Sequence, residues 1–270
     1  MQRRHRRASV LVALSAVLFA VGIAAAHDTW LIADSGQAAR GQRVLLSLTS
    51  GVAFPEDDFA IAPARVKRAT VRLHDSTRTL TNPRSTARAM QYAWTPRAEG
   101  IAAAGVELTP KTLLLEPDKI EEYMTEIDAT PELRREWAAL AGKRKWIESY
   151  SKHAKTFISV GQPRADSSWA RPVGLGLELV PERDPTALRA GDTLVLRVLH
   201  HGQALAGFAV GAIREGSTTT AFLRTDAAGR ARVPFNAAGK WLLNGTWIVR
   251  SKNPKLTWES DFTTLTLHVR

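Results

Sequence analysis

With no cysteine anywhere in the 270 residues, the strong metal donors left to this chain are histidine, carboxylate and amine nitrogen. Six histidines follow residue 26, at positions 27, 74, 153, 200, 201 and 268. His27 is set apart by what precedes it. Arg3, Arg4, Arg6 and Arg7 lead into an uncharged apolar run from Ala8 to Ala26, the pattern of a secretory signal peptide. Such a run is also long enough for a membrane anchor, but it is alanine-rich and no positive cluster follows it. Two cuts fit the small-residue rule. After Ala26, His27 becomes the N-terminus, and its amine and imidazole Nδ1 chelate one ion. After Ala24, the amine, two deprotonated amides and the imidazole of Ala25-Ala26-His27 form a square-planar site suited to Cu(II) or Ni(II). The plain alternative is that His27 only opens an edge strand.

Supporting ligands for His27 are Asp28, His74 and His153. His74 beside Asp75 reads as a pair that steadies a ligand, or as a turn. His153 falls on an expected helix, where a lone histidine usually packs or faces solvent. His200 and His201 are adjacent on an expected strand, so their side chains point to opposite faces and do not share an ion. Hydrolytic and nucleotide motifs are missing: there is no G-x-S-x-G, H-E-x-x-H, Walker loop or G-x-G-x-x-G. The glycines of "GLGLE" at 174–178 enter a strand instead of opening a helix. An enzyme is therefore not expected. Eight tryptophans allow a minor sugar-stacking reading, although core packing is the default for aromatics at alternating positions.

The elements that must position these residues are mostly strands. From His27 to about residue 104, segments such as "HDTWLIAD" and "QRVLLSLTSG" alternate between turn residues and read as antiparallel strands. A helical insertion follows near 117–157. "EPDKIEEYMTEID" places Ile120, Tyr123, Met124 and Ile127 at helical spacing. Thr130-Pro131-Glu132 caps a second helix carrying Leu133, Trp137 and Leu140, expected to continue, broken near Gly142, through Trp146, Ile147, Tyr150 and His153. The polar stretch 161–174 reads as a linker. From Leu175 turns recur about every ten residues, which suits an immunoglobulin- or transthyretin-like β-sandwich, with "TDAAGRA" (225–231) as a turn between strands. The expected organisation is a signal peptide (1–26), an N-terminal β-rich domain (27–165) and a C-terminal sandwich (172–270), mainly β overall.

The net charge of +11 includes the four arginines before residue 27 and no acid there, so 11 − 4 leaves +7 on the remaining 244 residues. That excess is scattered, apart from "GKRKW" at 142–146, which argues against a nucleic-acid partner. The absence of cysteine leaves an exported chain to be stabilised by packing alone.

Several segments together resemble one exported family: "AHDTWL" (26–31), "GVAFPEDD" (51–58), "ESYSKHAKTFISVG" (148–161), the stretch from Gly174 to Val210, "TDAAGRARVPFNAAGKWLL" (225–243) and "WESDFTTLTL" (258–267). It is the domain-of-unknown-function family described as the periplasmic component of a nickel/cobalt transport system, NikM-like. The resemblance implies a periplasmic protein that binds a divalent transition metal (nickel, cobalt or copper) for uptake or handling, with a membrane metal transporter as partner. It matches His27, Trp30 and Leu31 to the mature start, and Glu178, Pro181, Asp184 and Pro185 to the opening of the C-terminal domain. It also implies histidines where this chain has Val52 and Trp247. The alternative function is a structural or ligand-binding envelope module without metal.

Overall fold

The computed structural model describes residues 27–140, 145–162, 166–217 and 220–270. The expected signal peptide lies outside the described residues. The chain is mainly β, with strands numbered in chain order. A central ten-stranded sheet runs β16 (Ala221–Arg224), β15 (Ala209–Arg214), β18 (Gly239–Arg250), β19 (Trp258–Val269), β11 (Trp146–Val160), β9 (Gly100–Leu108), β5 (Val66–Leu73) and β6 (Ser76–Thr79), and β10 (Lys111–Leu115) and β2 (Gln37–Ala38) also pair with β11. A five-stranded sheet is built from β1 (Asp28–Ala33), β3 (Val44–Gly51), β8 (Met90–Trp94), β7 (Arg84–Ser85) and β4 (Phe59–Ala60). A four-stranded sheet contains β12 (Leu177–Pro181), β13 (Thr193–His200), β14 (Gln203–Ala204) and β17 (Arg230–Pro234).

The smaller sheets cover opposite faces of the central one, as residue parity shows. Ile101, Ala103, Phe157, Leu243 and Leu265 join a core with Leu177, Leu196 and Val233 of the four-stranded sheet. Their neighbours Ala102, Ala104 and Ile158 join a core with Leu31, Leu46 and Met90 of the five-stranded sheet. Burial on both faces explains why β9 reads "GIAAAGVEL", a run of small apolar residues with almost no alternation.

Two helices interrupt the strands. α1 (Ile120–Glu126) buries Ile120, Tyr123 and Met124 as the periodicity predicts. α2 (Pro131–Ala138) starts at Thr130, whose hydroxyl accepts from the Leu133 N–H at 3.2 Å. The helix does not extend beyond this point, contrary to the expectation through His153. Residues 146–160 form β11, with strict alternation of burial from Trp146 to Tyr150 and burial on both faces thereafter. Its central place in the sheet, with parallel pairing to β19, overrides a weak helical spacing of apolar residues. Among the described residues no helix is long and apolar enough to cross a membrane.

The expected linker is strapped down where it is described. The Arg72 guanidinium donates to the carbonyls of Ser168, Arg171 and Pro172, and Arg68 to those of Val173 and Gly174. The "TDAAGRA" turn forms as expected: the Asp226 carboxylate accepts from the Ala228 and Arg230 N–H groups, both at 2.9 Å.

Candidate functional site

On β19 the odd-numbered residues face the four-stranded sheet, and Asp261, with the exposed Glu259, is one of two acids in that row. It is paired directly with Trp247 on β18 and with Ser151 on β11. His153, two residues along β11, reaches the same face, and its Nε2 lies 2.8 Å from Asp261 Oδ1. From the opposite layer, His200 at the end of β13 places Nε2 3.1 Å from Asp261 Oδ2.

His201 joins them because the strand stops. It adopts φ 48° and Gly202 φ 80°, a left-handed pair that turns the chain into β14. The alternation of a strand no longer applies at that point, and the two imidazoles lie on one side with ring centroids 4.3 Å apart. The His201 N–H donates to the Gly176 carbonyl at 2.7 Å, which fixes the turn. This corrects the expectation that His200 and His201 point apart. Gly176 itself is wedged between rings: a Cβ there would meet His153 Cε1 at 2.9 Å and His201 Cε1 at 3.5 Å.

One ligand atom from each of His200, His201 and Asp261 lies within 4.8 Å of the other two. A tetrahedral ion with bonds of about 2.1 Å spaces its ligands about 3.4 Å apart, near the 3.1 Å between His200 Nε2 and Asp261 Oδ2. His153 is buried at 2% exposure and stands behind Asp261, where it orients the carboxylate. Its Nδ1 has no hydrogen-bond partner among the described residues. Burial pushes the Asp261 carboxyl up, but the hydrogen bonds and charges of His153 and His200 outweigh it and hold the group below the usual carboxylate range. Burial also lowers His200, against the opposing pull of Asp261, so at neutral pH its ring is uncharged and able to ligate. The Trp247 indole stacks on the His200 ring at 3.9 Å.

The residues singled out by sequence are dispersed. His27 directly precedes β1, its ring stacked on Phe59 at 5.3 Å and its carbonyl accepting from Lys152. Asp28 accepts from the Asn244 amide at 2.8 Å. Lys152 and His153 are successive residues of β11 and face opposite sides, so His153 does not support His27. His74 occupies the turn after β5 at φ 55°, its Nε2 2.7 Å from the Glu99 carbonyl, while Asp75 pairs with Arg171. His74 and Asp75 thus form the turn between β5 and β6, with His74 Nδ1 3.6 Å from the Asp166 carboxylate. His268 packs on Gly36.

Sequence reasoning missed His200, His201 and Asp261 as a group. The "HHG" tripeptide, with a turn-forming glycine, was the available signal. Glu178, expected to be structural, is a buried anchor: it accepts from Lys155 at 2.6 Å and from the N–H groups of Val173, Gly174 and Leu175.

Layered β-sheets define a mainly β, sandwich-type protein. The chain belongs to the DUF4198 family, a domain of unknown function, which matches residues 24–248. His27, His153, His200 and His201 fall inside that span and Asp261 beyond it. No curated protein matches the sequence. Among solved structures, the D0-D1 domain of intimin is 10% identical, covering 88% of this chain and 97% of that one at a TM-score of 0.23. The Yersinia pseudotuberculosis adhesin InvE is 12% identical over 90% of this chain and 58% of that one, also at 0.23. Murine CEACAM1b is 10% identical over 90% and 99%, at 0.20. These scores are too low for a superposition to carry weight, and the architecture rests on the strand pairing above.

Proposed function

We propose that this chain is an exported, non-enzymatic metal-binding protein that holds a late first-row divalent ion at His200, His201 and Asp261. The convergence of three ligand atoms within 4.8 Å at the end of β13 carries the reading. Two imidazoles and one carboxylate, with an exposed side toward solvent, suit reversible binding of copper, nickel, cobalt or zinc, copper being held tightest. The arginine-led apolar segment before His27 supports export to the periplasm, and the resemblance to nickel/cobalt uptake components supports delivery to a membrane transporter. Trp247, at the position where that resemblance implies a histidine, stacks on His200 and so borders this cluster.

A structural envelope module is the second reading. It is favoured by the His153–Asp261–His200 hydrogen bonds, which already satisfy both carboxylate oxygens without an ion. Calorimetric titration with Cu(II) and Ni(II) separates the two. Metal binding predicts that His200→Ala, His201→Ala or Asp261→Asn each weakens affinity at least about tenfold, while His27→Ala leaves it unchanged. Binding fades at acid pH, because imidazole must be free of its proton to ligate. Absence of binding at micromolar metal, or equal affinity in all four variants, supports the envelope module.

A further inference from the structure

The face of the central sheet that carries Asp261 runs on past the histidine cluster to the end of the sheet, and among the described residues no second layer covers it there. On β11, Ile147, Ser149 and Ser151 are half-buried between the buried Trp146, Glu148 and Tyr150, and burial on both faces begins only at Lys152. Leu114 of β10 is paired with Ile147 and Val249 of β18 with Glu259, so both lie on this open face, 57% and 36% exposed. Glu259 is the acid among them, and its carboxylate accepts from the Ser251 hydroxyl at 2.5 Å.

The turn from β18 to β19 closes this end of the sheet. Thr257 holds it against the start of β11, its N–H donating to the Ile147 carbonyl at 2.6 Å and its hydroxyl to the Lys145 carbonyl at 2.5 Å. That contact gathers Lys145, Lys252 and Lys255 at one tip. All three are exposed, and among the described residues none of their ammonium groups has an ion-pair or hydrogen-bond partner. The segment 249–258 carries Arg250, Lys252 and Lys255 and no acid.

We propose that this tip docks on an anionic phospholipid surface, its lysines against the headgroup phosphates and Leu114 and Val249 toward the acyl boundary. Free ammonium groups select an anionic partner. Lysines spread over two segments at the end of a sheet, with exposed apolar side chains beside them, suit an extended interface in which the cations meet headgroups and the apolar groups leave water. A second copy of the chain is disfavoured as the occupant, because it would bring two basic tips into one interface. Asp261 is the fourth residue of β19, about 10 Å along the strand from its start at ~3.3 Å per residue, so docking holds the histidine cluster close above the headgroups. The inference goes beyond the metal-binding reading and does not depend on it.

Co-sedimentation of the chain from residue 27 with vesicles tests it, with equal parts phosphatidylglycerol and phosphatidylcholine as the anionic probe and pure phosphatidylcholine as the neutral one. At low salt the anionic vesicles are expected to bind at least about tenfold more tightly, since each lysine near such a surface adds about fivefold, and the difference is expected to vanish in about 1 M salt, where the screening length is ~3 Å. Lys252→Glu combined with Lys255→Glu is expected to lower vesicle binding at least about twentyfold, with no change in the unfolding midpoint or in Cu(II) affinity. Arg78→Glu combined with Arg97→Glu makes the same charge change at exposed residues outside the tip, and is expected to lower binding less than about threefold. His200→Ala leaves vesicle binding untouched. Equal binding to both vesicle types, equal losses in the two charge-reversed variants, or no binding to anionic vesicles at about 5 mM lipid overturns the proposal. Retention on immobilised polyglutamate without vesicle binding assigns the tip to an acidic protein and overturns it as well.

Discussion

Gly176 is the residue on which the histidine cluster turns. It has no side chain because the His153 and His201 rings occupy that space, and its carbonyl holds the His201 turn. Gly176→Ala is expected to displace the buried His153 ring, cost about 1–3 kcal/mol, and weaken metal binding through Asp261. Urea unfolding and a metal titration of the same variant check both effects. In the sequence only the turn-forming glycine of "HHG" pointed to it. Adjacent histidines point apart only while the chain stays extended, and a φ of 48° at His201 cancels that inference. His27 drew attention through its neighbours in the sequence, whereas Asp261 depends on pairings to residues more than a hundred positions away on β11.

β11 meets a different layer with each face. Its odd residues His153, Lys155 and Phe157 meet the four-stranded sheet, and Lys152 turns toward β1. Lys155 and Glu178 form an ion pair with both side chains 1% exposed. Removing one partner leaves a buried charge alone, so Lys155→Met is expected to destabilise by about 3–5 kcal/mol, whereas Lys155→Met with Glu178→Leu recovers part of that loss. Denaturant melts of the single and double variants decide it. Lys152 gives a pH signature. Burial, against the opposing pull of Asp28, brings its ammonium down to about 8. The unfolded chain keeps that proton up to about 10.4, so between these values the unfolded state binds more protons and stability gains with rising pH. Lys152→Met is expected to flatten the stability profile across that window, read as unfolding free energy at successive pH values. The capped start of α2 and the apolar stripe of α1 were legible because caps and 3.6-residue spacing are local. β11 was misread because helical spacing of Trp146, Ile147, Tyr150 and His153 looks the same locally as a strand buried on both faces.

At the scale of the whole molecule, the central sheet passes through both expected domains. β19 from the C-terminal half pairs in parallel with β11 from the N-terminal half, and Ile101, Ala103 and Phe157 belong to the core under the four-stranded sheet. A fragment of residues 172–270 would expose the β19 edge and leave Glu178 without Lys155. It is expected to lack cooperative unfolding, measurable by circular dichroism during a thermal scan, while the chain from residue 27 unfolds cooperatively. The mainly β class and the run of strands after Leu175 were readable from alternation and turn spacing. The sharing of one sheet was not, since strand order and non-local pairing leave no periodic trace in the sequence.

Anomalous diffraction from crystals of the protein soaked in Cu(II) or Ni(II) locates the ion. A peak is expected between His200, His201 and Asp261, about 2.0–2.2 Å from each ligand atom, and is lost in the Asp261→Asn protein. A peak at His27 with none at this cluster, or no ordered metal at all, contradicts the metal-binding reading.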